Sequence, residues 1–474
     1  MGAVAQTDRV DDLAALEARV RHDLEILDFP RERWLPKRAH PAGHHVHDVA
    51  IVGAGQSGLA IAFALRREKV DNVIILDRRP KGQEGPWVTY ARMPVLRTPK
   101  YLVGPDLGIA SLSFRAWFEA QPKLGRWDDV VRIPRRTWMD YLCWYRKVLE
   151  LEVANQCEVQ ALLGSANDCI ELQVRREGRA ESLFARKVVL ATGMEGAGGW
   201  WIPEPIVQAL PRRLYAHTAD SIDFGKLRGK RVGVLGVGAS AVDNAAQALA
   251  EGAARVDVFC RRRELPKSEA RGWIEHNGFL RHFFELDDTR RWKIMRRFWE
   301  TGAPAPQWSL EAAAAYPGFH LHLASPWNRI SHDGDVVVIE TPHGTHQFDF
   351  VIAATGLIVD LRRQPELAAI ADKIATWGDR FIPPPGEACE PLALCPYLGR
   401  GYELTERTPG TAPYLRNIHL FNWGATPSNG ISASSITGMK FGVPRVVAGI
   451  TRGLYFDTAD EHAAAFPWDE SRSE

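Results

Sequence analysis

Apolar and polar positions along this chain form two similar blocks, each of which predicts a strand, a helix and a second strand. In the first block, the apolar run at 48–52 predicts a buried strand, residues 58–67 follow a helical period, and 73–76 is another apolar run. In the second block, strands are predicted at 231–235 and 256–260, with a helix ending near Leu249 between them. Such units are typical of parallel α/β sheets.

The strand-to-helix turn of the first block carries glycines in the pattern GxGxxG. Gly53 allows the tight turn, Gly55 lets the backbone approach a pyrophosphate, and Gly58 lets helix and strand pack closely. The pyrophosphate would meet the free N–H groups of the helix N-terminus. Asp77 follows the second strand, roughly 20 residues on, where an acid accepts hydrogen bonds from ribose hydroxyls. Strand, glycines, helix, strand and acid in this order predict a dinucleotide site.

The second block repeats the turn as GxGxxA, with Gly236, Gly238 and Ala241. Ser240 lies within this turn and has two interpretations: it donates to a pyrophosphate, or it caps the helix N-terminus. The repeat predicts a second dinucleotide site in the same chain.

Three consecutive arginines, 261–263, stand where the first block carries Asp77. One interpretation is a solvated charged face, which is common in a chain with 25% charged residues. The other is recognition of the 2′-phosphate of NADPH, which an acid would repel and a guanidinium binds with charge-assisted hydrogen bonds. The position favours the second interpretation, so we predict that Arg261 and Arg262 select NADPH over NADH.

Each block is followed by an apolar strand that ends in Ala-Thr-Gly, at 191–193 and at 354–356. Small residues let the chain pass close to a bound nucleotide, although a buried strand without a ligand is the alternative. Their positions predict an α/β fold with two nested Rossmann-like dinucleotide-binding domains, an FAD domain with an inserted NADPH domain. We predict an N-terminal helical extension at 1–45. The FAD domain would comprise two parts, 46–200 and 356–474, and the NADPH domain with its helical insertion would span 201–355.

Composition narrows the function. The 474 residues are 45% apolar, and 59 Lys and Arg against 58 Asp and Glu give a formal charge of +1, which disfavours a nucleic-acid binder. The six cysteines form no CxxC pair and predict reduced thiols. No apolar run approaches the roughly 20 residues that span a bilayer, and the N-terminus lacks a signal-peptide core. We expect a soluble, cytoplasmic protein with no membrane or nucleic-acid partner.

Four regions outside the two blocks carry weaker signals. Residues 8–28 predict an amphipathic helix, and residues 100–185 include a helical stretch with a buried aromatic face. Residues 265–330 are aromatic and basic, which favours a lid or substrate wall over a nucleic-acid helix because acids offset the charge. The apolar face of the first helix comprises Leu13, Leu16, Val20, Leu24 and Leu27. We predict no metal site in the histidine-rich stretch that contains His40, His44, His45 and His47.

With these motifs, residues 46–450 resemble the class B flavoprotein monooxygenases, which include flavin-containing, Baeyer–Villiger and N-hydroxylating monooxygenases. The resemblance rests on both glycine turns, both Ala-Thr-Gly turns, the Gly-Pro-Trp at 85–87 and the segment 215–224. In that segment, His217 and Thr218 match a family fingerprint whose histidine lies in the linker between the domains. The rest of the fingerprint is poorly kept, which favours N-oxidation, S-oxidation or hydroxylation over Baeyer–Villiger chemistry.

The resemblance also implies positions around the flavin. Trp87 would lie close to the isoalloxazine, and it and His217 are the candidate catalytic residues; a core tryptophan and an ordinary interdomain histidine are the alternatives. The segment 418–421 looks like a returning strand of the FAD domain, followed by a helix beginning near Ser434 that aims its N-terminus at the flavin. The predicted cofactor-binding residues are Gly53, Gly55, Gln56, Ser57, Gly58, Asp77, Trp87, Arg97, Thr98, Ala191, Thr192, Gly193, Gly236, Gly238, Ala239, Ser240, Arg261, Arg262, Thr355, Gly356 and Asn422.

The mechanism that the resemblance implies uses both cofactors, FAD and NADPH. NADPH reduces FAD, the reduced flavin forms a C4a-(hydro)peroxide with O2, and one oxygen atom enters a small organic substrate while the other leaves as water. A Baeyer–Villiger monooxygenase and a flavin oxidoreductase without oxygen transfer are the alternative enzymes. A non-catalytic nucleotide sensor and a homo-oligomeric assembly are also open on the sequence.

Overall fold

The computed structural model describes residues 13–265 and 270–467. The strands are Val46–Val52 (β1), Val73–Leu76 (β2), Cys157–Gly164 (β3), Ile170–Arg176 (β4), Arg179–Leu190 (β5), Gly198–Trp200 (β6), Tyr215–His217 (β7), Arg231–Leu235 (β8), Arg255–Phe259 (β9), Phe319–His322 (β10), Arg329–Asp333 (β11), Val336–Thr341 (β12), Gly344–Phe348 (β13), Phe350–Ala353 (β14), Leu357–Val359 (β15) and Ile418–Leu420 (β16).

The α-helices are Leu13–Ile26 (α1), Gln56–Arg67 (α2), Phe114–Glu119 (α3), Arg135–Val148 (α4), Glu204–Ala209 (α5), Ala239–Ala250 (α6), Ala270–Ile274 (α7), Asn277–His282 (α8), Asp288–Thr301 (α9), Gln307–Ala314 (α10), Pro365–Ala368 (α11), Trp377–Arg380 (α12), Glu390–Ala393 (α13), Thr426–Asn429 (α14), Met439–Phe456 (α15) and Ala459–Ala465 (α16). Among the described residues, no helix is long and apolar enough to span a membrane.

One sheet draws its strands from both ends of the chain. Its order is β2-β1-β5-β4-β3, and β16 pairs in parallel with the last residues of β5. The long strand β5 pairs in parallel with β1 and, through its first half, antiparallel with β4. Strand β16 enters this sheet from more than 220 residues later in the chain, so the unit built on this sheet is closed by C-terminal sequence.

The other large sheet comes entirely from the middle of the chain. Its order is β10-β9-β8-β14-β7, and every pairing in it is parallel. A small antiparallel sheet, β11-β12-β13, precedes β14. Because the strands of this unit lie between those of the first in sequence, the predicted α/β fold with two nested dinucleotide-binding units is confirmed.

The two connections between the units lie side by side. After the first Ala-Thr-Gly turn the chain forms β6, and after the second it forms β15, and these two strands pair antiparallel. Thr355 donates a hydrogen bond to the Trp201 carbonyl, and the Trp201 N–H donates to the Gly356 carbonyl at 3.0 Å. The linkers therefore support each other where the chain leaves and re-enters the first unit.

Several predicted boundaries were slightly wrong. Helix α2 begins at Gln56 rather than Gly58, β9 runs one residue earlier than expected, and β1 begins at Val46. Residues 8–12 of the predicted N-terminal helix lie outside the described residues, and Leu27 follows the end of α1 and is 47% exposed. Helix packing, which buries Leu16 and Val20, decided where the apolar face ends.

The predicted lid does not form one element. Residues 319–322 of that region form β10, the edge strand of the second sheet. The helices that precede it instead share a hydrophobic cluster with C-terminal residues, in which Trp292 and Phe283 pack with Trp377 and Ile431. The insertion therefore connects the second unit to the C-terminal part of the first.

Helix α15 begins later than predicted, at Met439 rather than near Ser434. Gly430 has φ +74°, and a short 3-10 turn follows at Gly430–Ala433. A Cβ on Gly438 would lie 2.7 Å from the Ser432 Cα, so the chain folds back closely on itself before α15 begins. These tight local contacts replace the first helical turn that the sequence favoured. The returning strand β16, by contrast, lies where it was expected.

Candidate cofactor and substrate sites

The first glycine turn has the backbone geometry expected of a dinucleotide site. Gly53 has φ +102°, and a Cβ there would lie 2.4 Å from the Ala191 carbonyl oxygen. A Cβ on Gly58 would lie 1.9 Å from the Gly53 carbonyl oxygen, so glycine alone allows α2 to approach this turn. The first Ala-Thr-Gly turn thus packs directly against the first glycine of the motif.

The middle glycine of this turn faces open space. A Cβ on Gly55 would meet only the backbone of Gly85, whose Cα is 3.8 Å away, and Gly85 belongs to the Gly-Pro-Trp segment. The N–H of Gln56, the first residue of α2, makes no hydrogen bond to another described residue. A gap between two glycines beside a free helix N-terminus fits the pyrophosphate of FAD.

Asp77 is buried beside the turn, as its position predicts. One carboxylate oxygen accepts from the Ala54 N–H at 2.8 Å and the other from the Arg79 N–H at 2.7 Å. Burial raises the pKa of Asp77, and these two hydrogen bonds oppose the rise. Asp77 therefore orders the glycine turn itself, and any bond to a ribose uses the lone pairs that remain.

Aromatic side chains lie next to the turn. Trp87 is 7% exposed, its ring meets that of Trp138 edge to face, and its buried Nε1 has no partner among the described residues. The Trp138 Nε1 donates to the Gln56 side chain at 3.2 Å, and Arg135 donates to the Trp87 carbonyl. An unpaired indole N–H beside the glycine turn is a donor available to a bound cofactor.

Asn422 links the returning strand to the first Ala-Thr-Gly turn. It is fully buried, and its amide nitrogen donates to the Thr192 hydroxyl at 3.0 Å and to the Gly196 carbonyl at 2.9 Å. Its carbonyl oxygen accepts from the Gly424 N–H. Gly193 has φ +77° with no atom within 4 Å of its Cβ position, so the turn itself leaves room for a ligand. The structure places Asn422 as a support for that turn.

The C-terminal helix meets the first turn directly. The Ser57 hydroxyl lies 3.7 Å from the sulfur of Met439, the first residue of α15, and α15 packs along α2. The N-terminus of α15 thus lies beside the N-terminus of α2, which fits the predicted role of this helix near the flavin even though it begins later.

Arg97 reaches across to the second unit. Its guanidinium forms an ion pair with Asp243 of α6, whose other oxygen accepts from the Ser309 hydroxyl at 3.2 Å. Burial raises the pKa of Asp243, and the charge of Arg97 opposes the rise. Thr98 follows Arg97 and is half-buried. No sequence pattern indicated this interdomain pair, because its members lie far apart in the chain.

The second glycine turn repeats the geometry of the first. Gly236 has φ +115°, and its Cβ would lie 2.4 Å from the Ala354 carbonyl oxygen of the second Ala-Thr-Gly turn. At the position equivalent to Gln56, however, the Ala239 N–H donates to the Ala303 carbonyl at 3.1 Å. Gly238 also pairs with Pro304 in an isolated antiparallel bridge. We call residues 301–306, which connect α9 to α10, the covering segment.

The predicted phosphate-binding arginines lie at the edge of this turn and are exposed. The Arg262 guanidinium donates to the Glu300 carbonyl at 2.9 Å, at the end of α9. Arg262 is therefore tied to the helix that leads into the covering segment. A nicotinamide dinucleotide whose pyrophosphate used the Ala239 N–H would have to displace Ala303.

His217, which the resemblance indicated as a linker histidine, is the last residue of β7 in the second sheet and contacts the first linker at Trp200. It is 1% exposed, its Nδ1 accepts from the Ala219 N–H at 3.1 Å, and its ring centroid is 5.3 Å from that of Trp200. Burial lowers the pKa of His217. The negative charge of Asp220 and the Gly356 carbonyl oppose this decrease in pKa. These contacts hold the two linkers together beside the second turn.

The histidines of 40–47 have ordinary partners: the His40 ring lies 3.2 Å from the Ser165 hydroxyl and the His45 ring 3.0 Å from Asn72. Within the described ranges, one group of three metal-ligand side chains comes together, Asp257 with His322 and His346. Arg255 donates to both oxygens of Asp257 at 2.6 and 2.8 Å, so that carboxylate is already neutralised.

Comparisons with known proteins agree with this geometry. Residues 50–195 match the model of an FAD-NAD(P)-binding family. An FAD-dependent urate hydroxylase from Xanthomonas campestris pv. campestris is 46% identical over 454 residues, which covers 96% of this chain and 95% of the relative. The chain belongs to the FAD-dependent urate hydroxylase family.

The chain is similar in fold to N-hydroxylating enzymes. Kutzneria sp. 744 ornithine N-hydroxylase gives a TM-score of 0.64 at 17% identity, covering 86% of this chain and 99% of that one. Pseudomonas aeruginosa ornithine hydroxylase gives 0.64 at 16% identity, covering 86% and 100%. At these identities the likeness concerns the fold. The family membership makes this chain an FAD-dependent monooxygenase of a small substrate that uses FAD and a nicotinamide cofactor, as the sequence predicted.

Proposed function

We propose that this enzyme hydroxylates urate, or a closely similar oxidised purine, with O2 and a reduced nicotinamide cofactor. The observation that carries the proposal is the 46% identity to an FAD-dependent urate hydroxylase, which extends over both dinucleotide units. The balanced reaction consumes substrate, O2, NAD(P)H and a proton, and yields the hydroxylated substrate, water and NAD(P)+. Bound FAD, once reduced, supplies the oxygen activation.

We assign the first glycine turn to FAD and the second to NADPH. The free Gln56 N–H and the gap at Gly55 would hold the FAD pyrophosphate, and the Trp87 indole lies within the same unit as a donor. Arg261 and Arg262 would hold the 2′-phosphate of NADPH. With this assignment we propose domain boundaries at 46, 201 and 356, as predicted. A cytoplasmic location fits the six free cysteines.

The chain's own residues then position the reactants and exclude water. Trp87, Trp138 and Leu96 are buried, and the Trp200 ring of the first linker packs against His217 of the second unit. No protein nucleophile is needed, because the cofactor provides the reactive oxygen.

Product analysis tests the proposal. Flavin-loaded enzyme is supplied with urate, NADPH and ¹⁸O₂, and the product is analysed by mass spectrometry while hydrogen peroxide is measured in parallel. We expect one labelled oxygen atom per product molecule, one NADPH consumed for each, and little peroxide. NADPH oxidation that yields only peroxide would contradict oxygen transfer, and oxygenation of amines or ketones but not of urate would contradict the substrate.

A further inference from the structure

Two arginines near the Gly-Pro-Trp segment have backbone carbonyls but no carboxylates as partners. Arg92 donates to the Thr89 carbonyl at 2.7 Å and to the Asp220 carbonyl at 2.9 Å. Arg135 donates to the Trp87 carbonyl. Within residues 13–265 and 270–467, neither guanidinium forms an ion pair. We call Arg92 and Arg135 the interdomain arginine pair.

The pair lies where the two units meet. Arg92 follows the Gly-Pro-Trp segment of the first unit and binds the linker that follows β7, at Asp220. Arg135 is the first residue of α4 and holds the carbonyl of Trp87, whose indole lies beside the first glycine turn. A substrate that reacts with a flavin in the first unit, reduced by a cofactor in the second, must reach this same region.

The positive charge of the pair is not balanced by nearby acids. Burial lowers the pKa of both arginines. The positive charge of Arg135 lowers the pKa of Arg92 further, and the positive charge of Arg136 lowers the pKa of Arg135 further. Arg135 also stands at the N-terminus of a 14-residue helix, whose partial positive charge disfavours a cation there. Asp220, whose backbone carbonyl accepts from Arg92, has its carboxylate paired with Arg212. A bound anion would therefore stabilise this arrangement.

Part of the pair remains free to bind. The Arg92 Nε is buried and has no hydrogen-bond partner among the described residues. Guanidinium groups bind delocalised planar anions through parallel hydrogen bonds. Tyr90, two residues before Arg92, meets the ring of Trp200 edge to face with centroids 5.3 Å apart. The unpaired Nε of Arg92 is therefore a donor that a bound anion could use.

We propose that Arg92 and Arg135 bind the substrate as a planar anion, with the urate anion as the intended ligand. The inference rests on the proposed function, because it names the charge state of that function's substrate. It goes further in assigning the residues that recognise the charge, which lie outside both glycine turns. The phosphates of the nicotinamide cofactor are the other anions that could reach this region, so the experiment separates them.

The experiment measures equilibrium binding to flavin-loaded enzyme without reductant, so that no turnover occurs. Dissociation constants for urate and for NADP+ are determined by calorimetry for the wild type, Arg92→Gln, Arg135→Gln and Arg136→Gln. Arg136 is the matched control because it is exposed on the same helix. We expect each Gln variant of the pair to weaken urate binding about tenfold or more, and NADP+ binding less than twofold.

Flavin content and melting temperature serve as folding controls, and Arg92→Gln decides the question alone if Arg135→Gln does not fold. If the wild type binds urate and the pair variants bind it equally well, or if Arg136→Gln weakens it as much, the inference is wrong while the proposed function stands. A loss confined to NADP+ would assign the pair to the dinucleotide and overturn the substrate assignment.

Failure of the proposed function gives a different result. If the wild type binds no urate, that function is contradicted, and titration with inorganic phosphate at low ionic strength tests the anion site separately. If Arg92→Gln and Arg135→Gln then bind phosphate more weakly than Arg136→Gln does, the result supports an anion site at the interdomain arginine pair. Equal phosphate binding in all three variants would overturn it.

Discussion

The two glycine turns of this enzyme share their backbone geometry and differ in what touches them. In both, the first glycine packs against the alanine carbonyl of an Ala-Thr-Gly turn at an equivalent distance. At the helix N-terminus, the Gln56 N–H of the first turn has no protein acceptor, whereas the Ala239 N–H of the second donates to Ala303. A conserved turn geometry therefore does not determine whether the site is accessible.

The difference suggests different uses. A permanently bound flavin needs a turn that is free at all times, and nothing in the described chain competes for the first turn. A nicotinamide cofactor enters and leaves in each catalytic cycle. If a segment covers its turn when no cofactor is bound, the binding free energy is reduced by the free energy needed to displace that segment. The comparison predicts that changes at the two turns have separable effects.

The largest effect is expected at the third position of the motif, which is Gly58 in the first turn and Ala241 in the second. Gly58→Ala places a methyl group 1.9 Å from the Gly53 carbonyl oxygen, so we expect loss of roughly 3 kcal/mol or more of unfolding free energy. Ala241→Gly is the matched control and should cost about 1 kcal/mol. Chemical denaturation measures both, and equal stability losses would contradict the packing argument.

The next effect separates folding from flavin binding. Gly55→Val adds a side chain where only the Gly85 backbone lies nearby, so the apoprotein should fold with an unchanged melting temperature but bind FAD at least a hundredfold more weakly. The counterpart Gly238→Val should retain FAD and lose NADP+ binding. Flavin absorbance and thermal melting of the purified variants provide the measurement. A full flavin content in Gly55→Val would show that FAD does not bind this turn.

A smaller effect concerns the choice between nicotinamide cofactors. If Arg261 and Arg262 hold the 2′-phosphate, replacing both by Ala should raise KM for NADPH about tenfold to a hundredfold and leave KM for NADH nearly unchanged. Solvent screening should keep the change towards the lower value, because both side chains are exposed. Arg263→Ala is the control. An unchanged ratio of the two KM values in flavin reduction would identify the arginines as a solvated face.

The smallest effect tests the covering segment itself. Pro304 pairs with Gly238, and Pro304→Gly should loosen the segment by about 0.5–1 kcal/mol. We therefore expect NADP+ to bind roughly two to five times more tightly, with FAD content unchanged. Isothermal titration of the flavin-loaded variant measures this. Weaker NADP+ binding would indicate that the segment forms part of the binding site.

The sequence predicted the features of this enzyme that depend on local pattern. Both strand–helix–strand units, the glycines at 53, 55 and 58 and the acid at 77 lie where their spacing placed them, because each follows from backbone sterics within a short stretch. Strands β8 and β9 of the second sheet also followed from the repeat of this pattern, whereas the returning strand β16 was implied by the family resemblance.

Contacts between distant segments could not be predicted in this way. Ala303 is a small apolar residue that belongs to no recognisable motif, yet its carbonyl accepts a hydrogen bond from the second turn. The ion pair between Arg97 and Asp243 joins segments about 146 residues apart. Asn422 was predicted to bind the flavin, and its hydrogen bond to the Thr192 hydroxyl is a further contact that the sequence did not indicate. Such contacts depend on how whole units pack, which hydrophobic periodicity does not describe.

Hydrogen–deuterium exchange of the flavin-loaded enzyme, with and without NADP+, tests the difference between the two turns most directly. We predict that NADP+ slows exchange in the second turn, residues 236–241, and speeds exchange in the covering segment, residues 301–306, because the cofactor displaces that segment. The first turn, 53–58, should not change. Slower exchange in both the second turn and the covering segment, with NADP+ bound, would contradict the account.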